Sequence, residues 1–256
     1  MNLNYEFFYD WTNKHLNLNL DGYKEKQLQR RIASVMKNAG ALTLEEYSKK
    51  IAQDETVKQQ FLDYITINVT DFFRNQDIFE EFESQLKILS TTFPSMKVWS
   101  AACSTGAEAY SMAMIFDKHQ LRMAEKILAT DIDETILKRA KDGVYKNHEM
   151  KNVPATERAA YFEDKEGTFY LKPLIKNKVQ FKRHDLIADK FGKNFHIIVC
   201  RNVTIYFKNE VKDELYQRFS DSLVKGGIFF TGATEAIYNP EIYGLKKISA
   251  FMYEKL

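Results

Sequence analysis

Small and polar residues follow an apolar run in one stretch of the chain, and their spacing is typical of a nucleotide-binding corner. Val98–Cys103 has the length and apolar character of a buried strand, and Ser104–Gly106 forms a turn of small residues. Apolar residues at helical spacing come next, namely Ala109, Met112, Ala113 and Phe116. In such a corner, the N–H groups of the first helical turn converge and small side chains let a ligand come close. We interpret the Gly106 corner as a candidate ligand site; an ordinary strand–helix connection is the alternative.

The acid and the glycine of this region indicate which ligand fits. Asp131 follows a second apolar run, Ile127–Ala129, and an acid at the end of the second strand binds ribose hydroxyls in dinucleotide-type folds. Gly106 is the only glycine of the corner, so the phosphate-binding pattern G-x-G-x-x-G is absent. The sequence therefore favours a nucleoside without phosphates, of which S-adenosylmethionine is the commonest.

Polar residues end each of four predicted strands. These ends are Ser104–Gly106, Asp131, His184–Leu186 and Cys200–Val203. Ligands of an open parallel sheet bind outside the carboxyl ends of its strands. One polar strand end carries no information, because loops are usually polar, but four of them together suit an adenosine and an amino-acid tail.

The elements that must position these residues follow from hydrophobic spacing. After residue 95 the chain alternates strands and helices, which predicts an α/β fold with a parallel sheet and helices on both faces. Strands are predicted at Val98–Cys103, Ile127–Thr130, Val179–Lys182, His196–Cys200, Ile228–Thr231 and Ile248–Glu254, the last as an antiparallel edge strand. Helices are predicted at Thr135–Lys141 and at Asn209–Val224, the second closed by Lys225–Gly227. Residues 145–178 are predicted to form a partly β insertion.

Residues 1–68 are predicted to form a separate helical domain. Apolar residues in this range recur at helical spacing, and Thr43 and Glu46 have the spacing of a capping box that opens a third helix. A connecting segment, 69–95, contains a helix at Asp77–Leu89 and begins the second domain, 69–256.

Composition and residue spacing exclude several classes of protein. The 256 residues carry a formal net charge of +2, so no global field drives nucleic-acid binding. No run reaches the roughly 18 apolar residues that span a bilayer, and the N-terminus does not resemble a signal peptide. The histidines lack metal-ligand spacing. We expect a cytoplasmic monomer without a metal, in which Cys103 and Cys200 are packing residues.

Four segments carry specific motifs: Ile67–Arg74, Trp99–Ser111, Ala129–Asp133 and Cys200–Phe207. Together they resemble the chemotaxis receptor methyltransferases of the CheR type, and the likeness covers nearly the whole chain. The resemblance implies a Rossmann-like, S-adenosylmethionine-dependent methyltransferase sheet with a small β insertion, preceded by an all-α N-terminal domain. The implied activity is methyl transfer from S-adenosylmethionine to glutamate side chains on cytoplasmic helices of chemoreceptors, with S-adenosylhomocysteine as the product.

By position, the resemblance implies a set of cofactor contacts that complements Gly106. These are Asn68, Thr70, Arg74, Glu108, Asp131, Asp185, Leu186, Arg201 and Asn202. The chain departs from the family in two places. Gly106–Ser111 reads G-A-E-A-Y-S where the family commonly has G-E-E-P-Y-S, which affects the helix start. Tyr161–Tyr170 is shorter and poorer in glycine than the loop by which some members tether to a receptor's C-terminal peptide, which argues against tethering.

Methyl transfer to glutamate requires positioned groups more than a strong base, because the carboxylate is already ionised at neutral pH. Arg74, a rigid fork for a carboxylate, and Tyr206, a polar-tipped aromatic, are the catalytic candidates. The residue pattern leaves open which carboxylate Arg74 holds, and the resemblance favours the cofactor's. Glu108 is either an acid/base or, more economically, the partner of the cofactor's ammonium group. Asp133 either shares the ribose or caps a helix.

A basic stretch suggests how a protein substrate is recognised. The predicted helix carries Lys24, Lys26, Arg30, Arg31 and Lys37 against the single acid Glu25. The residues Lys26, Arg30 and Lys37 share one face, opposite the apolar stripe. This face is either a solvated surface or a docking face for an acidic receptor helix. Two other functions stay open: a methyltransferase of the same fold acting on a small molecule, and a non-catalytic S-adenosylmethionine-binding adaptor.

Overall fold

Helices build the N-terminal domain. The computed structural model describes residues 3–66 and 70–256, and the helices of the first range are α1 (Tyr5–Leu16), α2 (Glu25–Asn38), α3 (Leu44–Gln53) and α4 (Glu55–Thr66). The Phe8 ring lies at the centre, with centroid distances of 5.8 Å to Tyr47 and 5.5 Å to Phe61. All three rings are fully buried, so this domain has a core of its own.

The start of α3 differs in one detail from the predicted capping box. Thr43 Oγ1 accepts a hydrogen bond from the Glu46 backbone N–H at 3.1 Å, as predicted. The Glu46 carboxylate, however, accepts from the N–H of Leu42 at 2.9 Å instead of from that of Thr43. The side chain therefore reaches one residue further back than a capping box requires.

Helices and strands alternate in the second part of the chain. The helices are α5 (Gln76–Thr92), α6 (Ala107–Lys118), α7 (Glu134–Asp142), α8 (Ala155–Tyr161), α9 (Pro173–Lys176) and α10 (Asn209–Ser222). The strands are β1 (Val98–Ala101), β2 (Ile127–Asp131), β3 (Val144–Lys146), β4 (Phe162–Lys165), β5 (Thr168–Leu171), β6 (Val179–Arg183), β7 (Phe195–Cys200), β8 (Leu223–Thr231), β9 (Leu245–Lys247) and β10 (Met252–Lys255). Short 3₁₀ helices lie at Asn147–Met150, Thr204–Tyr206 and Pro240–Tyr243.

The main sheet has the strand order β6-β2-β1-β7-β8-β10-β9. Strands β6, β2, β1, β7 and β8 are parallel, and β10 is antiparallel to both of its neighbours. The chain leaves β1 toward β2 and β6 and then returns to β7 on the other side of β1. The strand order therefore reverses between β1 and β7, which is where ligands bind in open α/β sheets.

Helices cover both faces of this sheet. Phe229 and Phe230 are neighbours in β8, so their side chains point to opposite faces. Phe230 stacks on Phe82 of α5 at 5.0 Å, and Phe229 stacks on Phe219 of α10 at 4.9 Å. The predicted α/β fold with helices on both faces is confirmed.

Among the differences between the predicted and the observed elements, three have clear local reasons. Strand β1 ends at Ala101 because Ala102 has φ 63°, outside the strand region. Helix α10 ends at Ser222, and Lys225–Gly227 lies inside β8, where the register shifts between Phe195 and Ile197 of the neighbouring strand. The final run is antiparallel as predicted but is not the edge, because the short strand β9 pairs with its outer side.

The insertion forms a small antiparallel sheet, ordered β3-β5-β4, that packs on the connecting segment. The buried Phe72 ring lies between two aromatic rings of the insertion, with centroid distances of 4.7 Å to Tyr145 and 5.5 Å to Phe162. Tyr145 also donates its hydroxyl to the Thr105 carbonyl oxygen at 2.8 Å. The insertion therefore supports both the connecting segment and the turn at Gly106.

The two domains are joined by backbone hydrogen bonds. Tyr23, just before α2, forms an isolated antiparallel bridge with Phe207. The Lys24 N–H donates to the Tyr206 carbonyl and the Lys208 N–H donates to the Gly22 carbonyl, both at 2.9 Å. This junction fixes the N-terminal domain beside the carboxyl end of β7.

Gly106 lies where only glycine fits, so we predict that Gly106→Ala destabilises the fold. Its φ is +82°, and an added Cβ would lie 3.0 Å from Phe181 Cζ and 3.1 Å from Ala140 Cβ. The left-handed backbone costs roughly 1–2 kcal/mol, and overpacking adds typically ~1–3 kcal/mol.

Gly167→Ala is the matched control in urea denaturation. Gly167 has a similar φ of +77°, but an added Cβ would meet nothing within 4 Å. We expect this variant to lose only the backbone contribution. Equal losses in unfolding free energy for the two variants would show that packing at Gly106 does not matter.

Candidate active site

A pocket opens at the carboxyl ends of β1, β2, β6 and β7. Every predicted cofactor or catalytic residue that the structure describes lines it, with the exception of Gly106: Thr70, Arg74, Glu108, Asp131, Asp185, Leu186, Arg201, Asn202 and Tyr206. Asn68 lies outside the described residues. Residues from segments far apart in the chain thus converge on one pocket.

Gly106 does not line this pocket. The glycine is required by its left-handed backbone and by the close approach of Phe181 and Ala140. The residues of the corner that face the pocket are Ala102 and Ser104. The turn that Gly106 permits is present, and a direct contact between Gly106 and the ligand stays a prediction.

Asp131 is held in place by backbone donors. Its Oδ2 accepts a hydrogen bond from the Ser104 N–H at 2.8 Å, and its Oδ1 accepts one from the Asp133 N–H at 3.2 Å. Burial raises the pKa of Asp131 from 3.8 to about 6, despite these donors. At neutral pH the carboxylate is ionised and can accept hydrogen bonds from a pair of ribose hydroxyls.

The sequence left open whether Asp133 shares the ribose or caps a helix, and the structure shows it capping a helix. Its Oδ1 accepts from the N–H groups of Thr135 and Ile136 at 2.8 and 3.3 Å, at the start of α7. Its side chain is buried and is not part of the pocket wall.

Glu108 and Arg201 form a buried ion pair at the base of the pocket. Arg201 Nη1 lies 3.6 Å from Glu108 Oε2, and Ser100 donates to Glu108 Oε1 at 2.8 Å. Burial raises the pKa of Glu108, and the neighbouring Arg201 counteracts part of this rise. Burial likewise lowers the pKa of Arg201, which Glu108 partly restores. Because Glu108 already has a cationic partner and a hydrogen-bond donor, it fits a binding role better than that of an acid/base.

Arg201 also fixes the connecting segment that carries Arg74. Its Nη2 donates to the Arg74 carbonyl oxygen at 2.9 Å and to Asn75 Oδ1 at 3.0 Å. The guanidinium lies over the rings of Phe79 and Phe230, 5.2 and 4.7 Å from their centroids. One side chain thus connects the end of β7, helix α6 and the backbone at Arg74.

The polar groups of the pocket fit S-adenosylmethionine. Glu108 and Asp131 are acceptors for an ammonium group and for ribose hydroxyls, and Arg74 is a donor for a carboxylate. Three buried polar atoms of lining residues, Ser104 Oγ, His184 Nδ1 and Arg201 Nε, have no hydrogen-bond partner among the residues that the structure describes. A polar ligand supplies partners for such atoms, whereas an apolar ligand would leave them unpaired.

The N-terminal domain contributes to the pocket wall, which the sequence did not predict. Tyr23, Ile65 and Thr66 line the pocket together with residues of the sheet. Tyr23 packs edge-to-face on Phe207 at 5.0 Å, and burial raises the pKa of its phenol. No motif marks these residues, because their position depends on how the two domains pack.

The structure separates the predicted basic face on α2 from the two basic residues that flank it in the sequence. Lys26, Arg30 and Lys37 are exposed on α2. Lys24 instead donates Nζ to the Ile205 carbonyl oxygen at 2.8 Å, and Arg31 lies 5.0 Å over the Tyr64 ring. Lys24 and Arg31 line a smaller opening that shares Tyr23, Ile65 and Tyr206 with the main pocket.

The described residues show neither a metal-binding cluster nor a membrane-spanning helix. Within residues 3–66 and 70–256, no group of His, Cys, Asp and Glu side chains is arranged to hold a metal ion. No helix in the same ranges is long and apolar enough to cross a membrane. Cys103 and Cys200 are buried free thiols, and burial raises the pKa of both. This is the environment of packing cysteines rather than of nucleophiles.

Comparison with known families accounts for both domains. Residues 68–251 match the family described as CheR methyltransferase, SAM binding domain, and residues 3–66 match CheR methyltransferase, all-alpha domain. The chain belongs to the CheR methyltransferase family. This confirms the resemblance, the predicted fold class and S-adenosylmethionine as the cofactor of this methyltransferase.

Curated CheR-family relatives are similar over almost their whole length. The chain is 40% identical over 253 residues to the chemotaxis protein methyltransferases of Listeria monocytogenes and Listeria innocua, covering 98% of this chain and 97% of each relative. It is 32% identical over 263 residues to chemotaxis protein methyltransferase 1 of Pseudomonas aeruginosa, covering 97% of this chain and 96% of the relative.

The pKa of Asp131 predicts how cofactor binding by this CheR-family protein depends on pH. We expect ribose hydroxyls to donate to the ionised carboxylate, so affinity for S-adenosylhomocysteine should fall as pH drops through about 6. One pH unit below the pKa, the loss should be roughly tenfold, because about a tenth of the carboxylate is ionised. Stability of the ligand-free protein should change in the opposite sense: the contribution of the neutral carboxyl is present at low pH and is lost as pH rises through about 6.

Calorimetry on wild type and Asp131→Asn tests this assignment. The variant should bind more weakly by ~1–3 kcal/mol at neutral pH, the range for a lost hydrogen bond to a charged group. Its affinity should also vary little between pH 7.5 and 5. A wild-type slope that persists in Asp131→Asn would assign the titration to another lining group, Glu108 or His184.

Proposed function

We propose that this methyltransferase transfers a methyl group from S-adenosylmethionine to glutamate side chains on the cytoplasmic helices of chemoreceptors, and so adjusts their adaptation. The observation that carries the proposal is a pocket whose lining includes two basic and two acidic residues, Arg74, Arg201, Glu108 and Asp131, a set of charges that suits a zwitterionic nucleoside. The relatives named chemotaxis protein methyltransferase support the substrate class.

Methyl transfer to a glutamate requires little beyond the correct positioning of the two reactants. The cofactor supplies an electrophilic methyl group on a sulfonium. A glutamate oxygen forms a bond to this carbon as the carbon–sulfur bond breaks, giving a methyl ester and S-adenosylhomocysteine. The two opposite charges cancel, and no proton moves. Since the carboxylate is already ionised, the rate of methyl transfer depends mainly on how well the two reactants are oriented. Effective molarities reach about 10⁵–10⁸ M for well-oriented pairs.

The roles of the chain's own residues follow from this demand. Glu108 and Arg74 hold the two charged ends of the cofactor's amino-acid tail, and Asp131 holds the ribose. Asp185, Leu186 and Asn202 complete the cofactor contacts, together with Thr70 and Arg201. Tyr206 borders both the main pocket and the smaller opening. We assign to Tyr206 the positioning of the incoming carboxylate.

The smaller opening is the route that we propose for the glutamate. Lys24 and Arg31 at its mouth favour entry of an anion, and Tyr23, Ile65 and Tyr206 connect it to the main pocket. The exposed Lys26, Arg30 and Lys37 would then lie along the acidic receptor helix. We propose residues 1–68 as the substrate-docking domain of a cytoplasmic monomer that works without tethering.

One experiment separates this function from its alternatives. Purified protein is incubated with methyl-labelled S-adenosylmethionine and receptor-containing membranes. Base-labile label on the receptor supports glutamate methylation, because methyl esters hydrolyse in alkali. Label on a small molecule would support a small-molecule methyltransferase, and cofactor binding without any transfer would support an adaptor.

Arg74→Lys tests whether a planar fork is needed. The substitution keeps the positive charge but loses bidentate hydrogen bonding to a carboxylate. We expect the rate of receptor methylation to fall by at least tenfold while the unfolding midpoint stays close to that of wild type. A near-normal rate for the lysine variant would show that charge alone suffices, or that the side chain is not involved.

Charge reversal on α2 tests the docking face. Lys26→Glu combined with Arg30→Glu should raise the KM for receptors strongly and leave the affinity for S-adenosylhomocysteine unchanged. Exposed ion pairs contribute only ~0–1 kcal/mol each, so binding should depend on several of them. Wild-type turnover should also fall as added salt shortens the screening length from ~10 to ~3 Å.

The matched control reverses Lys14 and Lys49, exposed residues of α1 and α3, which changes the net charge equally. Arg31→Glu is measured separately, because Arg31 faces the smaller opening. If the Lys26/Arg30 variant retains the KM of the control, and turnover does not vary with salt, α2 is a solvated surface. Recognition would then lie elsewhere, with the insertion at 145–178 as the next candidate.

A further inference from the structure

Glu235, which no sequence motif marked, lies beneath the segment that forms one wall of the pocket. The residue follows β8, and its side chain is 4% exposed. Its carboxylate accepts hydrogen bonds from the backbone N–H groups of four successive residues, Asn202 to Ile205. The distances are 3.0 Å from Val203, 2.7 Å from Thr204 and 3.3 Å from Ile205.

Two more donors complete the set. Thr204 Oγ1 donates to Oε1 at 2.8 Å, and the Gly232 N–H donates to Oε2 at 2.9 Å. A carboxylate in this position accepts from a concave array of backbone N–H groups, an arrangement that suits an anion. A buried charge would be costly without such donors. The donors therefore explain why an ionisable side chain occupies this site.

The segment needs this support because its backbone is irregular. Asn202 has φ 62°, and Val203 lies outside the helical and strand regions at φ −124° and ψ −38°. Only one turn of 3₁₀ helix, Thr204–Tyr206, follows. Asn202, Val203 and Tyr206 nevertheless face the pocket, so the position of these groups depends on how the turn is held.

Gly232 provides independent evidence that the arrangement is closely packed. A Cβ at this position would lie 2.3 Å from Glu235 Oε2 and 2.9 Å from the Asn202 nitrogen. On the other side of the segment, Lys24 binds the carbonyl oxygens of Tyr206 and Ile205. Glu235 thus fixes the N–H groups of the segment, while the N-terminal domain fixes its carbonyl groups.

We propose that Glu235 is a positioning residue for methyl transfer: it acts through the backbone of Asn202–Ile205 and sets where Asn202 and Tyr206 face the cofactor and the incoming carboxylate. The inference rests on the proposed methyl transfer in this pocket. Because Tyr206 lies on the substrate side, loss of the carboxylate affects turnover more than cofactor binding.

Glu235→Gln tests the proposal, because it keeps the size of the side chain and replaces one acceptor oxygen with an NH₂ group that opposes N–H donors. We expect kcat for receptor methylation to fall at least tenfold, the affinity for S-adenosylhomocysteine to change less than threefold, and amide hydrogen exchange to quicken at residues 202–205. Glu235→Asp keeps the charge but shortens the side chain, and should recover part of kcat.

Glu241→Gln is the matched control, since it removes the same charge from an exposed position of the 3₁₀ helix at Pro240–Tyr243, in the same connection between β8 and β9. It should leave kcat, affinity and exchange at wild-type values. If Glu235→Gln does not fold, Thr204→Val removes a single donor to the carboxylate and should still lower kcat severalfold. A kcat within twofold of the control, or unchanged exchange at 202–205 in a folded Glu235 variant, overturns the proposal.

The exchange measurement also separates this inference from the proposed function. If wild-type protein methylates no receptor, the substrate assignment fails, yet exchange at residues 202–205 still reports whether Glu235 holds the segment. If wild type is active and Glu235→Gln loses only cofactor affinity, the positioning role fails while the function stands.

Discussion

The pocket depends on the buried pair of Glu108 and Arg201. Arg201 lies at the end of β7 and reaches helix α6 through Glu108 and the connecting segment through the Arg74 carbonyl. Removing one member of such a pair leaves an uncompensated buried charge, which typically costs about 3–5 kcal/mol. The pair is therefore needed for the stability of the fold, in addition to any role in binding. Its position between β1 and β7 also places charge where the strand order reverses.

Burial gives the carboxylates of this pocket different properties. Glu108 has a cationic neighbour that offsets part of the rise in its pKa, whereas Asp131 accepts hydrogen bonds from backbone N–H groups, and its pKa rises to about 6. The Glu235 carboxylate accepts hydrogen bonds from a concave array of backbone N–H groups, and Glu235 is not among the residues that line the pocket. These three acids thus serve as an ion-pair partner, a ligand acceptor and a backbone support, according to what surrounds each of them.

Local patterns predicted most of the fold and a large part of the site. Alternating strands and helices indicate a parallel sheet, and the strand ends at Asp131, Asp185 and Arg201 then have to converge. Ala102 is a position where local patterns were not enough. Its left-handed backbone shortens β1, and alanine is not a residue type that favours this conformation. Tyr23 and Glu235 could not be predicted either. Their roles arise from contacts with residues far away in the chain, at Phe207 and at Asn202–Ile205.

The bridge between Tyr23 and Phe207 has a consequence for how separable the two domains are. Each matches a family domain of its own, and each has its own apolar core. The pocket, however, takes Tyr23, Ile65 and Thr66 from the first domain, and Phe207 is covered by Tyr23. A fragment that begins after α4 would keep the whole sheet yet expose an aromatic ring and lose one side of the cavity. Each domain therefore has the core it needs to fold, whereas the pocket is complete only when both domains are present.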